Sequence, residues 1–228
     1  MRFAPDGRRE TGKIEGMHTP AHPHLRCCLR GLVWFSVVLV VAGCASLPSW
    51  REREAFIDPI PQARWGGTPV DASRPGWGRS HTISRITLHH GGVAFGRDKD
   101  VAQHLRNLQS WSRRDKGWID IPYHYVIDLD GRVYEARDIR FAGDTNTEYD
   151  PTGHALIMVL GNYEDAVPNA AQIEATVLTM AMIARRHRLT ADVIASHRDF
   201  SKQTACPGRH LYQYVQDGSL VKAVRALL

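Results

Sequence analysis

The chain is predicted to fold as an α/β domain, with a mixed central β-sheet flanked by helices on both faces. Three observations predict this. Apolar runs of strand length, such as Arg85 to His90 and His154 to Leu160, alternate with longer segments of helical period. One pair of runs is joined through Asp130-Gly131, a hairpin signal, so at least one strand pair is antiparallel. Alternation with a single hairpin gives a mixed sheet covered on both sides. With 228 residues, 43% apolar and 23% charged, the composition is that of a globular protein with room for one domain and a tail.

Residues 1 to 16 are polar and aperiodic. After Met17, Arg26 and Arg30 precede an apolar run, Leu32 to Ala42, which leads into Gly43-Cys44. This run is too short for a bilayer core, which takes about 20 residues, but it suits a secretory signal followed by small residues. The Val41-Ala42-Gly43-Cys44 ending resembles a bacterial lipobox, which implies cleavage before Cys44 and a lipid on its sulfur. Residues 1–43 are therefore expected to be an export segment, with an uncleaved anchor helix as the alternative. A start at Met17 would give a signal of ordinary length, so residues 1–16 read as a mis-called start or an atypical extension. The domain is expected outside the cytoplasm, anchored to a membrane through Cys44, and Ala45 is compatible with an outer membrane.

Residues 44–80 carry Pro48, Pro59, Pro61, Pro69 and Pro75 and hold no period for long. They read as a tether that becomes ordered where Ile57, Ile60 and Trp65 dock. Residues 81–228 form the domain proper. Arg85 to His90 reads as a buried strand. Asp98 to Arg114 has Val101, Leu105 and Leu108 at helical spacing, with Asp98 or Asp100 as the N-cap. Tyr123 to Leu129 and Val133 to Ala136 form the hairpin, and alternation puts Tyr123 and Tyr125 on one strand face. His154 to Leu160 is the next strand. Asn169 to His187 is a long helix, Val193 to Ser196 a short strand, and His210 to Leu228 a helical tail interrupted at Gly218.

Composition also excludes. The formal net charge of +5 lies partly in residues 1–43, which hold six Arg and Lys against three Asp and Glu. The remaining 23 basic and 21 acidic residues are too balanced for a phosphate-tracking surface, so no nucleic-acid partner is expected. Only Cys27, Cys28, Cys44 and Cys206 are present, and the first three lie within or beside the apolar segment, so no disulfide framework serves the domain.

Three residues stand out as metal ligands. His89 ends the apolar run Ile86-Thr87-Leu88, His197 follows Val193-Ile194-Ala195-Ser196, and Cys206 is fixed nine positions later by Pro207-Gly208. Singly, a histidine on an apolar strand is more often a hydrogen-bonded core residue, and a lone cysteine more often inert. Together, two histidines and a cysteine leave the fourth tetrahedral position of a zinc ion to water, the arrangement of a catalytic site.

Several spaced motifs then resemble one family. They are Ile86-Thr-Leu-His-His90, Trp118-Ile-Asp-Ile-Pro-Tyr-His-Tyr-Val-Ile127, Asp130-Gly-Arg-Val-Tyr-Glu135, Leu160-Gly-Asn162, Ser196-His-Arg-Asp199 and Cys206-Pro-Gly208. From about Thr82 to Val215 the chain resembles the zinc amidases that include N-acetylmuramoyl-L-alanine amidases and the peptidoglycan recognition proteins. The resemblance implies a Zn2+ held by His89, His197 and Cys206, and hydrolysis of the amide between the lactyl group of N-acetylmuramic acid and L-alanine. It implies a catalytic role for Tyr123 and a weaker one, as a hydroxyl donor, for Thr204. Another branch of the family carries a catalytic Glu about where Met158 stands, so that mechanism is not expected here. Arg198 is read as ordering the loop between the ligands or binding a stem-peptide carboxylate. His90 and His124 are expected on the opposite strand faces in structural roles, and His104, His154, His187 and His210 as surface or packing residues. The expected partners are peptidoglycan or muropeptide and a membrane, with the chain acting as a monomer. Non-catalytic recognition proteins of the same fold, which typically lack the zinc cysteine, are the alternative.

Overall fold

The structure, a computed structural model, describes residues 57–71, 73 and 78–228; the expected export segment, Cys44 and the expected tether through residue 56 lie outside the described residues. Five strands form one sheet: β1 (Arg85–His90), β2 (Tyr125–Ile127), β3 (Val133–Glu135), β4 (His154–Val159) and β5 (Ile194–Ser196), in the order β3-β2-β4-β1-β5. β2 and β3 are the antiparallel hairpin, and every other pairing is parallel. The hairpin strands are shorter than their apolar runs. Beyond Ile127 the Asp128 carboxylate accepts the N–H groups of Asp130 and Arg132, so turn hydrogen bonds replace the ladder.

The helices are α1 (Val101–Asp115), α2 (Ala170–Arg186), the single turn α3 (His197–Phe200), α4 (Arg209–Gln216) and α5 (Ser219–Arg225). Asp100 caps α1 by accepting from the Gln103 N–H, and Asn169 caps α2 in a reciprocal box with Gln172. Gly218 separates α4 from α5 in a left-handed conformation, φ 73°, which L-residues adopt only at a cost.

Side chains alternate across the sheet and build two cores. On one face Ile86, Leu88, Tyr125, Ile127, Ile157 and Val159 pack beneath α2, α4 and α5 through Met180, Ile183, Leu211, Leu220 and Val224. On the other, Val126, Met158 and Leu160 meet Leu105 of α1, Ile121 and Trp65. Helices thus cover both faces, as the patterning predicts.

The segment around Ile57 to Trp65 docks along the outer edge of β3. The Ile60 N–H donates to the Val133 carbonyl, the Ile60 carbonyl accepts from the Glu135 N–H, and buried Trp65 donates its indole N–H to the Glu135 carbonyl. This covers an edge strand that would otherwise offer unpaired backbone groups.

Tyr123 and Tyr125 do not share a face. Tyr125 lies in the α2-side core, while Tyr123 packs against the core beneath α1. The chain bends at Pro122 and His124 before β2 begins, and alternation holds only inside the extended ladder. His124 holds this bend: its Nδ1 accepts from the Leu156 N–H at 2.8 Å and its Nε2–H donates to the Phe141 carbonyl at 3.0 Å. Burial lowers its pKa to about 3. Unfolding restores an ordinary value near 6.5, so the unfolded state binds the extra proton and stability falls as pH drops from about 6.5 toward 3. This ring alone is expected to contribute up to about 1.4 kcal/mol per pH unit within that window. Urea denaturation at stepped pH is the check: the pH slope of stability should be shallower in His124→Gln than in wild type.

Candidate metal centre

β1 and β5 are parallel neighbours, so their C-terminal ends lie side by side and deliver His89 and, just past Ser196, His197 to the same edge of the sheet. Ser196 and Asp199 form a capping box that starts α3 directly at His197, and Asp199 also accepts from the Tyr212 hydroxyl. Cys206 arrives from the following loop. The Arg198 N–H donates to the Cys206 carbonyl at 3.0 Å, tying the two ligand-bearing segments together. The turn after Cys206 lies against the backbone of Tyr163 and Glu164. A Cβ on Gly208 would fall 2.3 Å from the Tyr163 carbonyl carbon, and its φ is +86°, so both space and backbone demand glycine there.

These elements bring His89, His197 and Cys206 together, with one nitrogen or sulfur donor from each within 4.8 Å of the others. All three side chains are buried. The Cys206 Sγ lies 3.6 Å from the His89 Nδ1 and accepts the His90 N–H at 3.4 Å. Burial drives the His89 pKa well below its ordinary value, and burial lowers that of His197 to about 4, so both rings are neutral and free to ligate. Burial pushes the Cys206 thiol up to about 12. A buried thiol, which ligates as the thiolate, beside two neutral imidazoles is a donor set that suits a divalent metal.

Around the trio, the half-buried Tyr123 ring lies with its centroid 5.1 Å from that of His89. Burial, with Cys206 adding to it, pushes the Tyr123 phenol above its ordinary pKa, so it keeps its proton. The Thr204 hydroxyl oxygen accepts the Cys206 N–H at 3.0 Å, which leaves its own hydrogen available. The Arg198 guanidinium stacks 4.7 Å over the Tyr212 ring. Met158 is paired in register with His89 and buried, so no carboxylate occupies that position. His90 turns away, its Nδ1 accepting from the Tyr163 N–H. His154 packs between Tyr149 and Phe200 and bonds the Thr87 hydroxyl at 2.8 Å.

Sequence reasoning missed the loop from Thr145 to Tyr149, which sits directly on the histidines. Thr147 Oγ1 is 2.8 Å from the His197 Nε2, and Tyr149 Oη is 3.5 Å from the His89 Nε2. The loop has no apolar period to mark it. Buried Arg137 holds its start: one guanidinium bonds the carbonyls of Asp120, Ile121 and Ala142 and the Asp144 carboxylate. The same side chain therefore fastens the approach to Tyr123 and the approach to Thr147.

Comparison with known proteins agrees with this geometry. The profile of the N-acetylmuramoyl-L-alanine amidase family matches residues 79–209. Peptidoglycan recognition protein 1 of Mus musculus is 30% identical over 161 residues, which cover 69% of this chain and 85% of the mouse protein. Peptidoglycan-recognition protein SD of Drosophila melanogaster is 28% identical over 162 residues, 69% of this chain and 83% of that one. Among solved structures, drosophila peptidoglycan recognition protein SD superposes with a TM-score of 0.60 at 27% identity, covering 70% of this chain and 94% of that one. The ectodomain complex of peptidoglycan recognition proteins LCa and LCx, bound to tracheal cytotoxin, gives 0.59 at 28% identity, covering 69% and 93%. The five-stranded mixed sheet, the trio at its edge and a profile match over more than half the length agree, and the chain belongs to the N-acetylmuramoyl-L-alanine amidase family.

Proposed function

We propose that this protein is a zinc-dependent amidase that hydrolyses the bond between the lactyl group of N-acetylmuramic acid and the L-alanine of a peptidoglycan stem peptide. The observation that carries the reading is the convergence of His89, His197 and Cys206 beside the protonated phenol of Tyr123. Tetrahedral zinc, with Zn–S about 2.3 Å and Zn–N about 2.0–2.1 Å, sets sulfur and nitrogen donors about 3.6 Å apart. The Cys206 to His89 separation is 3.6 Å, and the three donors lie within 4.8 Å of one another. Zinc, when bound, supplies Lewis acidity: it polarises an amide carbonyl and lowers the pKa of a water it holds toward about 7.

The chain's own groups do the rest. Tyr123 donates its phenolic hydrogen to the amide oxygen as negative charge develops there, and its raised pKa keeps that hydrogen in place. Thr204 offers a second, uncharged donor from the Cys206 side. Arg198, preorganised over Tyr212, meets a carboxylate of the stem peptide. Tracheal cytotoxin in the LCa and LCx complex supports a muropeptide as the ligand class.

Export completes the proposal: cleavage before Cys44 and lipid on its sulfur hold a monomeric domain on the periplasmic side of a membrane, the outer one by the Ala45 signal. Cys44→Ala is expected to leave the chain unlipidated. Membrane fractionation after a high-salt wash, with palmitate labelling, checks this, and a labelled, membrane-bound variant would end the lipobox reading.

The test of activity is to digest sacculi and purified anhydro-muropeptides side by side. Release of stem peptide with a free L-alanine amino group is expected, and binding of muropeptide without any release would instead favour a recognition module.

A further inference from the structure

The loop that the sequence left unread faces the outward nitrogen of each histidine. Thr147 Oγ1 meets the His197 Nε2 at 2.8 Å, well inside hydrogen-bonding range, with Thr145 Oγ1 farther off at 3.4 Å. Tyr149 Oη meets the His89 Nε2 at 3.5 Å, while the other nitrogen of that ring, Nδ1, lies toward the Cys206 sulfur. A ring nitrogen already engaged by a hydroxyl is not free to ligate. The Thr147 contact occupies the His197 Nε2 and leaves Nδ1 as the nitrogen of that ring free to ligate, and the His89 Nδ1 already lies 3.6 Å from the Cys206 sulfur.

The loop is built to stay there. The Thr147 Oγ1 and N–H both contact the Thr145 Oγ1, at 2.8 and 3.1 Å. Glu148 is exposed, yet its carboxylate accepts from the Ser201 hydroxyl at 2.6 Å and the Lys202 N–H at 3.1 Å, which pins the loop to the end of the turn that carries His197. Tyr149 stacks on Phe200, the last residue of that turn, with centroids 5.8 Å apart. These contacts tie the loop to the turn that carries His197.

We propose that Thr147 is a positioning residue for the metal centre, accepting the Nε2–H of His197 and so presenting its Nδ1 toward Cys206, with Tyr149 serving His89 in the same way. The proposal rests on the zinc reading above. A histidine whose outer N–H is held by an oxygen has its tautomer and ring orientation fixed before the metal arrives, and loss of such a partner typically costs about 10- to 100-fold in metal affinity. Thr147→Val keeps the shape and removes the acceptor, whereas Thr147→Ser keeps the hydroxyl.

The experiment measures zinc affinity by chelator competition for wild type and both variants, and the imidazole nitrogen shifts of the metal-free proteins. Thr147→Val is expected to weaken zinc binding by about 10- to 100-fold, with Thr147→Ser close to wild type. Metal-free wild type is expected to show His197 as the Nε2–H tautomer, and Thr147→Val a mixture. Unchanged affinity in Thr147→Val, equal losses in the Val and Ser variants, or a Nδ1–H tautomer in wild type would each overturn the proposal. A wild-type chain that binds no zinc would overturn the zinc reading itself, a distinct result from any of these.

Discussion

Cys206→Ser is expected to lose amide hydrolysis by about 10³-fold or more while folding as wild type does. The metal contributes several kcal/mol of charge stabilisation in reactions of this class, and each 1.36 kcal/mol is about tenfold in rate. A serine hydroxyl is a far poorer zinc ligand than a thiolate, so the ion should be lost or held weakly. The fold has little reason to suffer. Serine fits the space of cysteine, and its oxygen can still accept the His90 N–H that the sulfur accepts now. Zinc content, a thermal melt and peptide release from one preparation check all three parts. Binding of muropeptide should survive, because the contacts of Arg198 with Tyr212 and of Thr204 with the Cys206 N–H do not involve the sulfur. Wild-type turnover in this variant would show that the trio is not a catalytic centre.

Tyr123→Phe separates chemistry from metal binding. The ring packs beside His89 and against the α1-side core, and phenylalanine keeps that packing. Only the hydroxyl goes. Losing one preorganised donor to a developing oxyanion typically costs about 10²- to 10³-fold in turnover, so kcat should fall by at least about tenfold on the same principle. Zinc content and melting temperature should barely change. No carboxylate stands at Met158, the residue paired with His89, to share the role. Unchanged kcat would return Tyr123 to a packing role and leave the oxyanion to the metal and Thr204.

The fold was legible because each large element announces itself by period and cap. Val101, Leu105 and Leu108 mark the inner stripe of α1, Asp100 and Asn169 start their helices, and Asp130-Gly131 closes the hairpin. The trio was legible for a related reason: each member sits where an apolar run stops or a Pro-Gly turn intervenes, and such ends gather along one edge of a parallel sheet. What escaped depends on tertiary context. The Tyr123 and Tyr125 faces part at a bend held by His124, whose partners Leu156 and Phe141 are remote in sequence. Thr147 and Tyr149 lie in a polar loop with no periodic signal, and their meaning comes only from the histidines they meet. Arg137 reads as an ordinary charge in a hairpin tail, yet it is buried and joins two loops.

A zinc titration asks whether hydrolysis of the muramyl-alanine amide depends on the metal. Purified protein is stripped with a chelator, zinc is returned stepwise, and the free L-alanine amino termini released from a defined muropeptide are counted at each step. Stripped protein is expected to release nothing, and release should rise with zinc and saturate at one zinc per chain. Full release from protein shown to hold no metal, or none at saturating zinc despite tight muropeptide binding, would rule out a zinc-dependent amidase.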